Sequence, residues 1–304
     1  MPQQRFITVS KNASNPAYRG ARKGVNRLAE QLGVQVHHFA PKVDDSIEEQ
    51  IAFVQGLLAD PPTALLISPA HESALDTALE QLRDAGVPIV MFVGQTTRKE
   101  LAHCFIGSDN RGMTRAVAET VGHALGGQGS VMVLDGNPLG ILYEARARGF
   151  RDGIAQFEGL RMLGAQDGHF LREPAHTAMH ALMDAHGTPD AVLVANDFMA
   201  LGAMDALRER GARAVVGSVN ATPEGIDAIR RGEMLVTAAF NAMAMGCLAL
   251  QAAQRILRGE VIPRQIMLPA EMVTAANLAQ WSLSYEQRPL PDWDSTVEAR
   301  GVTA

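Results

Sequence analysis

The sequence is short of cysteine, of basic charge and of long apolar runs, and each shortage removes a class of protein. Two cysteines, Cys104 and Cys247, stand far apart and form no CxxC pair. That excludes a disulfide scaffold and a cysteine-built zinc site. The 27 Lys and Arg fall below the 33 Asp and Glu, for a formal charge of −6. A nucleic-acid-binding chain usually shows a basic domain or stripe, so that class is disfavoured. No apolar run approaches the ~18 residues needed to cross a bilayer. Met1–Phe6 reads straight into a strand, with no basic segment leading an apolar one, so no secretory signal is visible, whether removed or never present. No GxGxxG follows a strand, and no GxSxG elbow surrounds Ser10, Ser68 or Ser73. Neither a nucleotide-dependent enzyme nor a serine nucleophile has its usual setting.

What is present is the material of two ordinary α/β domains: 304 residues, 47% hydrophobic and 20% charged. Short apolar or β-branched runs alternate with segments of helical period. Phe6–Val9 reads as a strand, and Tyr18, Ala21, Val25, Leu28 and Leu32 share one helix face that stops at Gly33. Strands are expected at 34–39, 64–67 and 88–93, with helices from Ile47 to Leu58 and from Ala74 to Ala85. The texture then restarts. Strands are expected at 130–134, 160–165, 191–194 and 215–218, and helices at 144–157, 174–185 and 198–210. A strand at 234–240, a long helix at 243–258 and a strand at 265–273 follow. Strand–helix–strand runs of this kind predict parallel sheets covered by helices on both faces.

The two halves stand in register. Ile7 and Met132, Gly24 and Gly149, and Gly86 and Gly211 are each 125 positions apart. Such a repeat predicts two similar lobes rather than one large sheet. From Asn277 on, the proline-rich and polar texture around Trp281, Pro289, Pro291 and Trp293 reads as a surface-wrapping tail.

In open parallel sheets ligands sit beyond the carboxyl ends of the strands. Here those loops are Ser10–Tyr18, Asp135–Gly140 with the following Tyr143, Glu144 and Arg146, Asn196–Asp197, and Asn220–Thr222. They are rich in planar and forked hydrogen-bonding groups. These residues also carry a family resemblance. Asn15-Pro16-Ala17-Tyr18 resembles the Asn-Pro-aromatic-aromatic opening of the ribose-binding-protein family, the type I periplasmic binding proteins. Ile106–Asn110 resembles its interlobe crossing, Arg146–Phe150 its RxxGF turn, and Ala195–Gly202 its NDxxALG segment. Ala221–Glu224, Arg231–Glu233 and Leu257–Glu260 continue the match in order, over roughly residues 5–275.

The resemblance implies two similar doubly wound parallel-sheet lobes joined by three hinge crossings, near Ser108, Ala239–Phe240 and Leu268–Pro269. The N-terminal lobe would be 1–107 plus 240–268, the C-terminal lobe 108–239 plus 269–290, and 291–304 a tail. It implies a monomeric periplasmic solute-binding protein with no cofactor and no catalytic or metal residue. Such a protein takes a small polyhydroxy ligand (sugar, polyol or sugar acid) into the interlobe cleft by hinge closure and delivers it to an ABC permease. The residues matched to the ligand are Asn15, Tyr18, Gln95, Asn137, Arg146, Phe170, Asn196, Asn220, Phe240 and Asn241. Tyr18 and Phe170 would stack on a sugar face, or else pack as core. Arg146 would bind hydroxyls or form a surface salt bridge, and Asn196 would bind hydroxyls or cap a helix. Replacing Arg146 or Asn196 by alanine is then expected to remove binding with little loss of fold.

Departures from the family pattern point away from ribose. Val93-Gly94 occupies the place of an Asp-Arg pair, Asn220 that of an acid, Phe240 that of a glutamine, and Ala17 that of an aromatic. A neutral polyhydroxy ligand is favoured, with Asp135, Glu144 or Asp197 as counter-charge to Arg146, and a sugar acid stands behind it. Gly126-Gly127-Gln128-Gly129 precedes a strand, so it reads as a helix stop and turn rather than a phosphate loop. His176 and His180, with His169 and His186 near in sequence, lack the carboxylate of an HExxH or a third ligand and read as a solvated face. The alternative function is the effector-binding domain of a LacI-type regulator, which would need a helix-turn-helix before the first strand.

Overall fold

A computed structural model describes residues 4–297. Its first elements are β1 (Arg5–Val9), α1 (Pro16–Leu32), β2 (Gln35–Phe39), α2 (Ile47–Gly56), β3 (Ala64–Ile67), α3 (Asp76–Asp84), β4 (Ile89–Phe92) and β5 (Cys104–Ser108). Then come α4 (Asn110–Ala124), β6 (Gln128–Asp135), α5 (Tyr143–Ile154), β7 (Gly159–Asp167), α6 (Arg172–His186), β8 (Ala191–Val194), α7 (Asp197–Glu209) and β9 (Val215–Val219). The last are α8 (Pro223–Arg230), β10 (Val236–Ala239), α9 (Ala242–Leu257), β11 (Gln265–Leu268), β12 (Glu271–Val273) and α10 (Trp293–Thr296).

These elements build two sheets of one plan. The first runs β11-β5-β4-β3-β1-β2 and the second β12-β10-β9-β8-β6-β7. The pairings from β2 to β5 and from β7 to β10 are parallel, and β12 is antiparallel to β10. In both sheets the first strand of the repeat lies between the second and third, so the direction in which successive strands are added reverses beside β1 and beside β6. Loops at those strands' carboxyl ends diverge to opposite faces and leave room for a ligand.

Central strands are apolar along their whole length because both faces are covered. β3 (ALLI) and β4 (IVMF) are buried at every position. One face of the first sheet packs Ile7, Val9, Leu65, Ile67, Ile89 and Met91 against Val54, Leu57, Leu75, Leu79 and Leu82 around α2 and α3. The helices start where a side chain can accept an orphan N–H: Asn15 for α1, Ser46 for α2, Asp109 for α4, Thr222 for α8. Gly33, with φ 66, closes α1 by returning its N–H to Ala29 and Glu30.

The chain separates into two compact units. Unit 1 holds the residues up to Gly107, Asn241–Leu268 and those from Tyr285 on, while unit 2 holds Ser108–Phe240 and Pro269–Ser284. The chain therefore passes between units four times, not the three expected. The extra passage lies at Ser284–Tyr285, and residues 285–290, expected in the second lobe, pack in unit 1. Arg27 Nη1 donates to the carbonyls of Tyr285 (2.8 Å) and Arg288 (2.7 Å). The Arg255 guanidinium lies 5.0 Å from the centre of the buried Trp293 ring. The expected tail is thus a docked strap as far as it is described, and its residues 298–304 lie outside the described residues.

The single strand expected over 265–273 is two strands, β11 and β12, one in each sheet. Pro269, which has no N–H to donate to a ladder, stands at the break. β5, α4 and α8 were not distinguished by periodicity, since Gly107, Gly112 and Gly122 dilute the apolar pattern of the first two. Cys104 and Cys247 are fully buried, and burial pushes both thiols up to about 12, as suits small core groups.

The repeated glycines mark helix crossings. A Cβ on Gly24 would meet Met243 Cγ at 2.7 Å and Cys247 Sγ at 2.8 Å on α9. A Cβ on Gly149 would meet Thr114 Oγ1 at 2.0 Å and the Arg111 carbonyl oxygen at 2.2 Å on α4. The flexible Met243 side chain can yield, whereas the α4 backbone cannot. Gly149→Ala is expected to destabilise by roughly 1–3 kcal/mol and by more than Gly24→Ala. Urea unfolding of both variants checks this, and an equal or smaller loss for Gly149→Ala would contradict the close crossing.

Candidate ligand-binding site

In unit 2 two of the residues expected at the ligand, Phe170 and Phe240, lie beside the guanidinium of a third, Arg146. Arg146, on α5, is buried, and is no surface salt bridge. Its Nε donates to Asn110 Oδ1 (2.9 Å) and its Nη1 to the Ala195 carbonyl (2.5 Å). The guanidinium carbon lies 4.9 Å from the Phe240 ring centre and 5.9 Å from that of Phe170. Two donors thus go to neutral acceptors, with aromatic faces nearby. The three carboxylates expected as counter-charge each have a partner of their own. Asp135 pairs with Arg151 (2.8 Å), Glu144 with Arg148 (2.5 Å), and Asp197 is bonded by threonines.

Phe170 is held in a tight turn. Its φ is 61 and that of His169 is 53, a conformation that costs a bulky residue of order 1–3 kcal/mol. Asn196 holds the turn in place. Its Nδ2 donates to the Phe170 carbonyl (3.1 Å), while its Oδ1 accepts from Met199 N (2.7 Å) and caps α7. The cap reading of Asn196 is therefore realised, together with a positioning one. The Phe170 ring lies against Gly136, where a Cβ would stand 2.1 Å from ring Cζ. Asn137 Oδ1 accepts from Leu139 N (3.1 Å) and shapes the same loop.

The turn after β9 is strained too. Asn220 has φ 124 and Ala221 φ 49. Asp197, fully buried, underlies it: Oδ2 accepts from Thr222 N (2.8 Å) and Thr222 Oγ1 (3.0 Å), and Oδ1 from Thr237 Oγ1 (2.7 Å). Thr237 Oγ1 in turn accepts from Ala221 N (3.2 Å). Burial raises the Asp197 carboxyl to about 6 despite these donors. The turn leaves Asn220 Oδ1 buried with no hydrogen-bond partner.

Unit 1 holds its expected residues at its own carboxyl-end loops, with different contacts. Tyr18 is buried, and its hydroxyl lies 3.1 Å from Ser68 Oγ. Gln50, fully buried on α2, braces that loop by donating to the Ser68 carbonyl (3.1 Å) and accepting from Ala70 N (2.8 Å). Asn15 caps α1 through Ala17 N (3.0 Å), and Asn12 Oδ1 accepts from Asn15 N (2.7 Å). Asn12 Nδ2 is buried with no partner. After β4, Val93 has φ 69 and Gly94 N donates to the Phe92 carbonyl (2.8 Å). This is a γ-turn of the rare, strained hand, and it leads to the half-buried Gln95. Asn241, with φ 54, caps α9 through Ala244 N (3.2 Å).

Sequence reasoning missed Asn12, Gln50, Asn110 and the pair Lys11–Asp45, whose Nζ and Oδ1 stand 3.5 Å apart and nearly buried. An Asn or Lys in a loop carries no signal of burial. Gln50 sits inside an amphipathic helix, where a polar residue at an apolar spacing was the one available hint.

Residues 6–260 match the profile of the periplasmic binding protein domain, and the chain belongs to that family. Among curated relatives it is 29% identical to the ribose import binding protein of Bacillus subtilis, over 86% of this chain and 84% of that one. It is 26% identical to a putative rhizopine-binding protein of Rhizobium meliloti, over 78% and 79%. A solute-binding protein of Actinobacillus succinogenes solved with D-allose superposes with TM-score 0.86 at 21% identity, over 91% of this chain and 99% of that one. One from Bacillus halodurans with myo-inositol gives 0.84 at 22%, over 92% and 97%.

Alanine at Arg146 or Asn196 would remove buried hydrogen bonds within the unit, so a loss of stability is expected beside any loss of binding. Asn196→Ala is expected to cost about 1–2 kcal/mol through the lost cap, while Asn196→Ser keeps the cap and most of the stability. Equal melting of the two variants would refute the capping role. Asp197 predicts a pH signature. Its folded pKa lies above the unfolded one, so the unfolded state releases its proton first as pH rises. The stability it contributes is full below about pH 4, falls by about 2–3 kcal/mol up to about pH 6, and is level above. Subtracting the urea stabilities of Asp197→Asn from wild type across that window should reveal this slope. A flat difference would show that Asp197 is ionised throughout.

Proposed function

We propose that this chain is the solute-binding protein of an ABC importer, working in the periplasm, and that it takes a small neutral polyhydroxy compound on the carboxyl-end loops of its units. It binds and delivers rather than catalyses, and its partner after capture is a membrane permease. Curated relatives named as import binding proteins support this over the LacI-type alternative.

The observation that carries the ligand class is a pair of buried polar atoms with no protein partner. Asn12 Nδ2 in unit 1 is a donor, and Asn220 Oδ1 in unit 2 is an acceptor. Leaving either unpaired costs ~1–3 kcal/mol, and a hydroxyl answers both because it donates and accepts. The aromatic rings of Tyr18, Phe170 and Phe240 suit the C–H face of such a compound. Val93, Gly94 and Asn220 supply no carboxylate, so ribose is expected to bind more weakly than a ligand with fewer demands for charged acceptors.

A thermal-shift panel of pentoses, hexoses, polyols and sugar acids tests the proposal. A true ligand at a hundredfold its Kd adds about 2.7 kcal/mol of stability. Asn220→Ala should weaken the selected ligand at least tenfold. If no polyhydroxy compound shifts the melt, the sugar-binding reading fails. If only sugar acids do, the ligand is anionic.

A further inference from the structure

On the α6–α7 surface of unit 2, two imidazoles converge on one carboxylate. His176 and His180 stand one turn apart on α6 and share a face. Glu209, the last residue of α7, presents Oε2 at 3.0 Å from His176 Nε2 and 2.9 Å from His180 Nε2. The three potential ligand atoms lie within 4.8 Å of one another, and the imidazole centres are 4.7 Å apart. A third ligand, missing from the local sequence, is supplied by the fold about thirty residues downstream.

We propose that His176, His180 and Glu209 bind one divalent transition-metal ion of the zinc class, bridging α6 and α7. Two imidazole nitrogens and a carboxylate oxygen form a donor set that zinc accepts, with a fourth position for water. Bonds of about 2.0–2.1 Å in a tetrahedron place ligand atoms roughly 3.3 Å apart. The two nitrogen–oxygen distances, 3.0 and 2.9 Å, are already near that spacing and the two nitrogens lie within 4.8 Å of each other, so the metal enters by displacing two hydrogen bonds and adjusting side chains rather than by moving helices. Imidazole also suits copper and nickel, whereas magnesium and calcium want oxygen.

One neighbour opposes the metal. Arg210 Nε donates to His180 Nδ1 at 3.2 Å, which keeps the His180 proton on Nε2. Ligation through Nε2 requires that proton on Nδ1, so Arg210 must let go. It has a second anchor in Asp184, at 2.5 Å. Removing Arg210 should therefore strengthen binding, the reverse of what loss of a structural ion pair would do.

The test uses the whole chain, stripped with a chelator and titrated with zinc chloride in a calorimeter, with magnesium chloride as control. The expected result is one equivalent of zinc bound, a higher melting temperature with zinc and none with magnesium. The double variant His176→Ala/His180→Ala should lose this equivalent or weaken it at least tenfold, its metal-free melt serving as the check on folding. Arg210→Ala should bind about threefold or more tighter. Zinc binding unchanged in the double variant, no saturable equivalent in wild type, or weaker binding in Arg210→Ala would each overturn the site.

Discussion

The structure depends on two places where a glycine lets one helix close upon another, against side chains in one case and against backbone in the other. At Gly149, α5 lies against α4, and at Gly24, α1 lies against α9. In each case the second helix follows a strand of the other sheet: α4 comes after β5, and α9 after β10. Each unit is therefore roofed by a helix that the chain brings from the other unit's sheet, and the crossing at glycine seats that helix.

A rigid scaffold can hold loops in conformations they would not choose. Val93, Phe170, Asn220 and Ala221 all have positive φ without being glycine, and all sit at carboxyl ends of strands or just beyond. Each costs of order 1–3 kcal/mol, so each needs support. For Phe170 the support is Asn196, and for Asn220 and Ala221 it is Thr237 and Asp197. The buried polar residues around the site spend many of their hydrogen bonds on backbone and on one another. Arg146 is an example: it is bonded to Asn110 and a carbonyl, and it presents its planar face to aromatic rings.

The alternation of strands and helices and the doubling of the fold were legible in the sequence because apolar periodicity reports burial directly. Gly24 and Gly149 were visible as a repeat, but the reason for them was not, since a helix crossing joins residues far apart in the chain. β5 and α4 were hidden because their glycines thin the apolar signal. At the site, residue types were readable and roles were not. Asn196 reads as a ligand group or a cap from sequence, and which bonds its amide makes depends on where Phe170 arrives in three dimensions. Asp197 was noticed as a charge and proved to be a support, because its partners Thr222 and Thr237 lie on two other elements.

The four passages of the chain between units also set an order of assembly. During synthesis the sheet of unit 2 has all its parallel strands once β10 is made, and its edge strand by Val273. Unit 1's first strands precede all of unit 2, yet it lacks α9 until Leu257, β11 until Leu268 and the strap until Trp293. Its sheet must therefore wait, partly uncovered, until the whole of unit 2's parallel sheet has been made. A nascent chain of this design leaves its earlier sheet open while the later one is already complete.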